Sequence, residues 1–303
     1  MSVSIFDYIE TIVPKENILC NEPMSRHTTF RVGGEAKCLI RITDKEQLKK
    51  IVPYLHMTGQ KYFILGNGSN LLVGDRGYPG IVVKLEDGKD GIIVEGERMK
   101  VSAGTLLARA AAKARDYGLS GMEFASGIPG TIGGAIVMNA GAYGGEMKQI
   151  VESVEVMSRE GEILTLDNDT MEFGYRTSVV KNRPFIVLEA VLALKKGDKD
   201  GISGRMEELA RQRKEKQPLE YASAGSTFKR PEGYYAGKLI MDAGLRGFSV
   251  GGARVSEKHC GFIINTGNAT AEDIREVIEE VQRRVKEKFG VALEREVIFL
   301  GDF

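Results

Sequence analysis

The sequence predicts an α+β fold. Short segments with strand composition alternate with a few helical segments, and no internal repeat is present. The 303 residues are enough for two domains, with room for a third, at about 150 residues per domain. Apolar residues make up 42% and charged residues 28%, which is typical of folded globular proteins and argues against disorder.

The first part of the chain is predicted to form a β-α-β unit. Residues 1–24 are expected to hold a short helix and a linker, and Arg31–Ile42 alternates like a strand. Asp44–Val52 has helical spacing, with an N-cap at position 43 or 44. The short apolar strand Tyr62–Leu65 then delivers the chain into a glycine turn.

The rest of the chain is predicted to contain short strands, three helices and a closing strand. The predicted strands are Ile81–Leu85, Gly91–Glu95, Met99–Ser102, Val151–Ser158, Phe185–Leu194 and Glu296–Leu300, and the helices are Thr105–Arg115, Gly204–Lys216 and the segment from Thr270 to Gly290. Thr270 and Asp273 form a capping box for the last helix, which carries one apolar stripe. The polar, glycine-containing segment Lys195–Gly201 is predicted to be a domain boundary.

Charge and composition exclude several classes of protein. With 42 basic and 42 acidic residues the formal net charge is zero, so nothing draws the whole chain to nucleic acid or to an anionic membrane. The three cysteines form no CxxC pair and the three histidines share no ligand spacing, so neither a disulfide framework nor a metal site is predicted. Without a signal sequence or a long apolar run, we expect a cytoplasmic protein.

Two glycine tracts are the candidate binding elements. The first holds Gly66, Asn67, Gly68, Ser69, Asn70 and Leu71. Its main-chain N–H groups can form a small anion nest, although a tight turn between strands explains the same residues. It matches neither the dinucleotide-binding GxGxxG pattern nor a Walker loop.

The second tract has seven glycines between Gly127 and Gly145. Such density lets a ligand lie directly on the main chain, and Ser126, Thr131 and Asn139 supply hydrogen-bonding groups beside apolar side chains. That combination suits a diphosphate bearing a flat aromatic group. The alternative is a packed loop and a buried helix start. Two such tracts fit one dinucleotide held between two small subdomains.

Three polar positions are the reactive candidates. Arg176 can present a bidentate fork to a carboxylate, or it can form a surface ion pair. Ser226 follows a glycine in a turn, where a serine is commonly only a cap. Glu294 and Glu296 would share one face of a strand, which can also be a solvated edge.

Together these segments resemble the UDP-N-acetylenolpyruvoylglucosamine reductase family of bacterial flavoenzymes. The matching segments, in the order of the family, are His27–Gly34, Leu65–Leu71, Gly127–Ala135, Met138–Gly144, Tyr175–Arg176, Gln217–Pro218, Ala224–Phe228, Gly261–Asn265 and Leu293–Val297. They extend over nearly the whole chain, and the ordered set is specific. The short stretch between Arg176 and Ser226 resembles the compact branch that lacks an extra tyrosine-bearing loop. Arg230 stands where other members have asparagine, which affects uridine or phosphate contacts.

The resemblance implies a two-subdomain FAD-binding region of the vanillyl-alcohol-oxidase (PCMH) type and a C-terminal α+β substrate domain. The expected divisions are residues 1–80 and 81–197 for the two FAD-binding subdomains and 198–303 for the substrate domain, whose last strand packs back toward the flavin. Noncovalent FAD would be the cofactor. The expected partners are UDP-N-acetyl-enolpyruvoylglucosamine and NADPH, and the chain is expected to be a monomer that binds neither nucleic acid nor membrane.

The resemblance also assigns residues. It implies that Arg176, Ser226 and Glu296 are catalytic. The implied flavin contacts are Gly66, Asn67, Gly68, Ser69, Asn70, Leu71, Ser126, Gly127, Gly130, Thr131, Gly133, Gly134 and Asn139, and the implied substrate contacts are Tyr143, Tyr175, Arg213 and Lys216.

The implied reaction belongs to peptidoglycan precursor synthesis, and so to cell wall biogenesis, cell shape and cell division. NADPH would reduce the flavin, the flavin would give hydride to C3 of the enolpyruvyl ether, and Ser226 would protonate C2 to give UDP-N-acetylmuramate. Two alternatives remain at this point. One is another FAD-linked oxidoreductase of the same fold, and the other is a nucleotide-sugar hydrolase or binding module without redox chemistry.

Overall fold

The computed structural model describes residues 5–88 and 91–303, which form two compact units. The first unit comprises the described residues of Met1–Cys20, Cys38–Asn67 and Gly80–Gln212. The second comprises Asn21–Lys37, Gly68–Pro79 and Arg213–Phe303. Because both units are assembled from separate stretches of chain, the predicted functional division at 80/81 and 197/198 stays a prediction.

The described residues contain eight α-helices and eighteen strands. The helices are α1 (Ile5–Glu10), α2 (Lys45–Met57), α3 (Leu107–Asp116), α4 (Ile132–Met138), α5 (Val179–Asn182), α6 (Lys199–Lys216), α7 (Ala236–Asp242) and α8 (Ala271–Phe289). The strands are β1 (Ile18–Pro23), β2 (Glu35–Ile42), β3 (Tyr62–Leu65), β4 (Leu71–Val73), β5 (Tyr78–Leu85), β6 (Ile92–Glu95), β7 (Arg98–Ser102), β8 (Leu119–Ser120), β9 (Gly141–Ala142), β10 (Gly145–Glu146), β11 (Val151–Met157), β12 (Ile163–Asp167), β13 (Ile186–Ala193), β14 (Lys195–Lys196), β15 (Ser249–Val250), β16 (Ala253–Val255), β17 (Ile263–Asn265) and β18 (Ile298–Leu300).

Two sheets organise the first unit. A four-stranded sheet has the order β1–β2–β5–β3, and Leu48, Ile51 and Val52 of α2 are buried in its core. The Asp44 side chain caps α2 by accepting from the Glu46 N–H at 2.9 Å. Leu65, the last residue of β3, lies opposite Lys84 of the parallel strand β5, and the glycine turn follows directly. This pairing positions the start of the first tract at the end of this sheet.

The second sheet of this unit is antiparallel, with the order β12–β11–β13–β7–β6. Its buried face packs with α3, α4 and α5 into one apolar cluster. In α3 the alanines Ala110, Ala111 and Ala114 are buried, which lets the helix lie close to its neighbours. Helix α4, which carries the second glycine tract, is therefore anchored in a core.

The second unit has a core of its own. The antiparallel strands β15–β16–β17 pack with α7 and α8, and the parallel pair β18–β4 brings Ile298 opposite Leu71. The capping box predicted for α8 is present, and Gly290 ends the helix in a left-handed conformation. The apolar stripe of α8 is buried, as its period predicts.

Several predicted boundaries are wrong. The strand predicted from Arg31 begins at Glu35, because Arg31 and Gly33 have φ angles of 58° and 120° and break the extended backbone. Helix α6 begins at Lys199, so part of the polar segment predicted as a domain boundary is helical. The four N-terminal residues of the predicted first helix region lie outside the described residues.

The closing strand begins at Ile298, so the prediction that Glu294 and Glu296 share one face of a strand is also wrong. The Glu296 main chain bonds to two different segments, because its N–H donates to the Thr227 carbonyl and its carbonyl accepts from the Asn70 side chain. The main chain at Glu296 therefore does not pair continuously with one neighbouring strand. None of the helices in the described part of the chain is long and apolar enough to cross a membrane.

Candidate functional site

The start of the first glycine tract, Gly66 and Asn67, meets the second tract in the first unit. A Cβ at Gly66 would collide with Oγ1 of Thr131, so only glycine allows this approach. The Asn67 side chain donates from Nδ2 to the Pro129 carbonyl at 2.7 Å. The turn that follows β3 is thus fixed against the turn that precedes α4.

The second tract uses its glycines in two ways. The Gly133 N–H donates to the Ala103 carbonyl at 2.9 Å, and a Cβ there would lie 3.0 Å from that of Ala103. A side chain at Gly133 would thus be tightly packed against Ala103. Gly134 is exposed, and a Cβ there would find no atom closer than Thr131 Oγ1 at 3.6 Å, which is ordinary contact.

Several main-chain N–H groups of the tracts lack a protein acceptor. Among the residues that the structure describes, the N–H groups from Asn67 to Asn70 donate to none, and neither do those of Gly130 and Thr131. Thr131 is 4% exposed and caps α4, its Oγ1 accepting from the Gly134 N–H at 3.4 Å. Consecutive unpaired N–H groups attract anionic oxygens. Both tracts thus supply donors suited to a phosphate-bearing ligand.

Two further side chains of the second tract are held by the protein. Asn139 is 1% exposed with a φ of 41°, and its Nδ2 donates to the Gly174 carbonyl at 3.0 Å and to Glu146 at 3.2 Å. Its Oδ1 accepts from the Lys148 N–H at 2.9 Å. The Ser126 hydroxyl donates to the Glu123 carbonyl at 2.8 Å. These side chains shape the loop. Because the Asn139 amide is already bonded within the protein, a ligand would contact the main chain of Asn139 and not its side chain.

Arg176 lies on a strained turn in the first unit. Tyr175 and Arg176 form the two-residue turn between the bridged residues Gly174 and Thr177, and Arg176 has a φ of 55°. A left-handed non-glycine residue costs about 1–2 kcal/mol and is frequent at functional sites. The half-buried guanidinium donates from Nη2 to the Gly141 carbonyl at 3.4 Å and lies 5.3 Å from the Tyr175 ring centre.

A second strained turn lies beside it. Tyr143 and Gly144 join β9 to β10 with φ angles of 54° and 86°, the pattern of a type I′ turn. Arg176 bonds to β9 at Gly141, and Asn139 bonds to the Gly174 carbonyl of the other turn. The first unit thus brings Tyr143, Tyr175 and Arg176 into one region, with Tyr175 55% exposed.

In the second unit, Ser226 lies on an extended segment held on both sides. Ser226 is bridged to Phe262, and Phe228 is bridged to Arg295. Between them the fully buried Thr227 donates its N–H to the Gly261 carbonyl at 2.9 Å, and its Oγ1 accepts from the Ile263 N–H at 3.2 Å. Ser226 itself is exposed, while the two residues that follow it are buried.

Glu296 is tied to this segment and to the first glycine tract. Its N–H donates to the Thr227 carbonyl at 2.9 Å. Asn70 binds the same stretch twice, with Nδ2 on the Glu296 carbonyl at 3.1 Å and its own carbonyl accepting from the Ile298 N–H at 3.0 Å. The second unit therefore brings together Ser226, Glu296 and the Gly68–Leu71 part of the first tract.

Other candidates lie nearer the surface. Glu294 is exposed and forms an ion pair with Lys229 at 2.7 Å. Arg213 is half-buried and Lys216 exposed at the end of α6, whose Lys214 carbonyl accepts from the Lys258 ammonium at 2.7 Å. No cluster of three metal-ligating side chains occurs in residues 5–88 and 91–303. Thr227 and the anchoring role of Asn70 were missed, since bridges between distant segments leave no local pattern.

Two family models match the chain. Residues 36–167 match the FAD binding domain, and residues 217–300 match the C-terminal domain of UDP-N-acetylenolpyruvoylglucosamine reductase. The first match contains both glycine tracts, and the second contains Ser226 and Glu296.

Curated relatives and a solved structure agree with these matches. The chain is 52% identical to a UDP-N-acetylenolpyruvoylglucosamine reductase of Caldanaerobacter subterraneus subsp. tengcongensis, with all of both chains covered. It is 49% identical to one of Clostridioides difficile, with 98% of each covered. The crystal structure of such a reductase from Thermus caldophilus has a TM-score of 0.79 at 40% identity, covering 92% of this chain and 97% of that one.

Proposed function

Because the chain belongs to the UDP-N-acetylenolpyruvoylglucosamine reductase family, we propose that it reduces UDP-N-acetylenolpyruvoylglucosamine to UDP-N-acetylmuramate, with NADPH as the reductant. It is an FAD-dependent oxidoreductase of peptidoglycan precursor synthesis. We place its reaction in the cytoplasm, where nucleotide sugars and NADPH occur, and propose that it acts as a monomer.

The observation that carries this proposal is the pair of glycine tracts with unpaired N–H groups. FAD presents a diphosphate, and Gly130 and Thr131 at the start of α4 offer N–H groups that no protein acceptor among the described residues takes. The N–H groups of Gly68, Ser69 and Asn70 offer a second set. The residues present thus fit the cofactor. When bound, FAD supplies the hydride that is added at C3 of the enolpyruvyl group.

Arg176 is proposed to bind the enolpyruvyl carboxylate. Hydride addition at C3 leaves negative charge at C2 that spreads into that carboxylate. A guanidinium held on a strained, half-buried turn is already oriented, so it stabilises the developing charge without reorganisation.

Ser226 is proposed to protonate C2. Its side chain is exposed while Thr227 fixes the main chain beside it. A hydroxyl is a weak acid, but a carbanion-like centre is a strong base, so a well-placed hydroxyl suffices.

Glu296 is proposed to assist at the same carboxylate. The half-buried residue is anchored through its N–H and its carbonyl. A protonated carboxyl would donate to the substrate oxygens, whereas an ionised one would oppose the developing charge. Tyr143, Tyr175, Arg213 and Lys216 are proposed to contact the nucleotide sugar.

Three anaerobic absorbance spectra of the purified protein test this function. We expect a visible flavin band, its loss on addition of NADPH, and its return on addition of the enolpyruvyl nucleotide sugar. A colourless protein that does not take up FAD would contradict the flavin function. Reoxidation by oxygen without any response to the nucleotide sugar would indicate another flavin oxidoreductase.

A further inference from the structure

The Thr29 hydroxyl is a buried polar group without a partner. Its Oγ1 is shielded from solvent and makes no hydrogen bond, while the Thr29 residue as a whole is half-buried. A buried hydroxyl that lacks a partner is destabilising, so such a group in a native protein calls for an explanation, and a bound ion or water is one of them.

Thr29 lies against the first glycine tract. Its N–H donates to the Gly68 carbonyl at 3.2 Å. A Cβ at Gly68 would collide with the His27 carbonyl and lie 3.1 Å from the Thr28 Cα, so the segment 27–29 presses on this turn. The next N–H groups along the turn, those of Ser69 and Asn70, have no acceptor among the described residues. The residue with the unpaired hydroxyl is therefore bonded, through its main chain, to the turn that carries the unpaired N–H groups.

The preceding residue, Thr28, differs from Thr29 in the hydrogen bonding of its hydroxyl. Thr28 is 6% exposed, and its hydroxyl donates to the Val32 carbonyl at 3.0 Å. Thr28 is satisfied within the protein and Thr29 is not, although they are adjacent and chemically identical. Thr28 therefore provides a matched control.

We propose that the Thr29 hydroxyl binds a diphosphate oxygen of FAD, together with the N–H groups of Gly68, Ser69 and Asn70. This inference rests on the FAD-dependent function proposed above. It adds to the flavin contacts a residue that lies outside both glycine tracts. It also explains why a hydroxyl lies at a buried position where no described residue of the protein forms a hydrogen bond with it.

The test titrates FAD into the flavin-free, full-length wild type and its Thr29→Val, Thr29→Ser and Thr28→Val variants, following flavin fluorescence. Loss of a hydrogen bond to a charged oxygen raises the Kd about 10- to 100-fold, so we expect that change for Thr29→Val and near wild-type binding for Thr29→Ser. Without FAD, the Tm of Thr29→Val should be unchanged or raised, since a buried unpaired hydroxyl is removed. Thr28→Val should lower the Tm and leave the Kd unchanged.

The ³¹P resonances of bound FAD locate the contact. We expect them to shift in Thr29→Val and to stay in place in Thr29→Ser. Equal FAD affinity of wild type and Thr29→Val would overturn the inference while leaving the proposed function intact, and so would weaker binding with unchanged ³¹P resonances. Failure of the wild type to bind FAD would instead refute the function itself.

Discussion

The two units hold their candidate catalytic residues in different ways. In the first unit Arg176 lies on a tight turn with a φ of 55°, next to a second left-handed turn at Tyr143. In the second unit Ser226 lies on an extended segment, and the main chain of Glu296 is joined to that segment at Thr227. The first unit fixes its arginine by a strained local turn, and the second fixes its residues by bonds between distant segments.

This difference predicts how each site responds to substitution. A strained turn confines a side chain locally, so replacing Arg176 should change chemistry more than folding. An extended segment is held in place by neighbouring segments. We therefore expect a substitution to lower the stability of the second unit wherever a glycine lets another stretch of main chain come close. Gly68, which admits the His27 carbonyl, is such a position.

The largest effect is expected for Ser226→Ala. Loss of the proton donor should slow product formation by about 10²- to 10⁴-fold while NADPH still reduces the flavin. Stopped-flow absorbance separates the two half-reactions. Ser223→Ala, three residues earlier in the same segment, should behave like the wild type. Near-normal turnover of Ser226→Ala would remove Ser226 from the proton-donor role.

Gly68→Ala tests the close approach in the second unit. The new Cβ would meet the His27 carbonyl on a residue with a φ of 63°, so we expect a loss of more than about 3 kcal/mol in the free energy of unfolding. Gly233→Ala is matched in backbone, with a φ of 74°, but has open space around it and should lose about 1–2 kcal/mol. Urea unfolding measures both, and equal losses would show that the collision is unimportant.

Arg176→Lys tests the strained turn of the first unit. Lysine keeps the charge but loses the fork, so kcat/KM should fall about 10- to 100-fold with little change in Tm. Arg183→Lys, on an exposed residue of the same unit, should leave both values unchanged. An unchanged kcat/KM for Arg176→Lys would argue against carboxylate binding by the guanidinium.

Gly134→Ala tests a glycine at which a Cβ makes only an ordinary contact, in contrast to the collision expected at Gly68. Its φ is not left-handed and its surroundings are open, so alanine within α4 should raise the free energy of unfolding by about 0.5–1 kcal/mol in the absence of FAD. The FAD Kd, followed by flavin fluorescence, should nevertheless rise, because the added methyl group occupies ligand space. An unchanged Kd would exclude Gly134 from the flavin contacts.

The smallest expected effect is a difference between the two units in how their stability depends on pH. Burial lowers the pKa of His259 in the second unit below its ordinary 6.5, so its contribution to stability is complete above pH 6.5 and is lost as the pH falls below it. In the first unit burial opposes ionisation of Glu189, but hydrogen bonds from Lys100 and Lys45 outweigh it and lower the pKa below 4.5. That contribution is lost only as the pH falls below 4.5.

Hydrogen exchange of α8 and of β13 between pH 7 and pH 4 distinguishes the two units. Weakening of α8 should begin at the higher pH. His259→Gln should remove the early phase, and persistence of that phase in the variant would assign it to another group.

Local patterns in the sequence predicted the regular elements well. The capping box at Thr270, the apolar stripe of α8 and the strand ending at Leu65 are encoded by neighbouring residues, and the structure confirms them. The α+β fold class follows from such elements and is confirmed too. Elements such as β4 and β17, three residues each, were not predicted, because their pairing partners lie far away in the sequence.

The residue types of the site were predictable from the sequence. The packing contacts and hydrogen bonds that hold those residues in place were not. Glycine density indicated bare main chain, yet Gly66 proves to be needed for its contact with Thr131, and Gly133 packs tightly against Ala103. Conversely, the partners of Thr227 and Glu296 depend on segments more than thirty residues apart in sequence, which periodicity cannot detect. The proposed roles of Arg176, Ser226 and Glu296 remain predictions that rest on the family.

Hydrogen–deuterium exchange of the full-length chain with and without FAD tests the central claim, that the bare main chain of both tracts binds the cofactor. We predict that FAD protects the amides of residues 66–71 and 127–134, and that the exposed segment 195–200 exchanges equally in both states. Protection confined to other segments, or no protection of either tract at saturating FAD, would contradict the account.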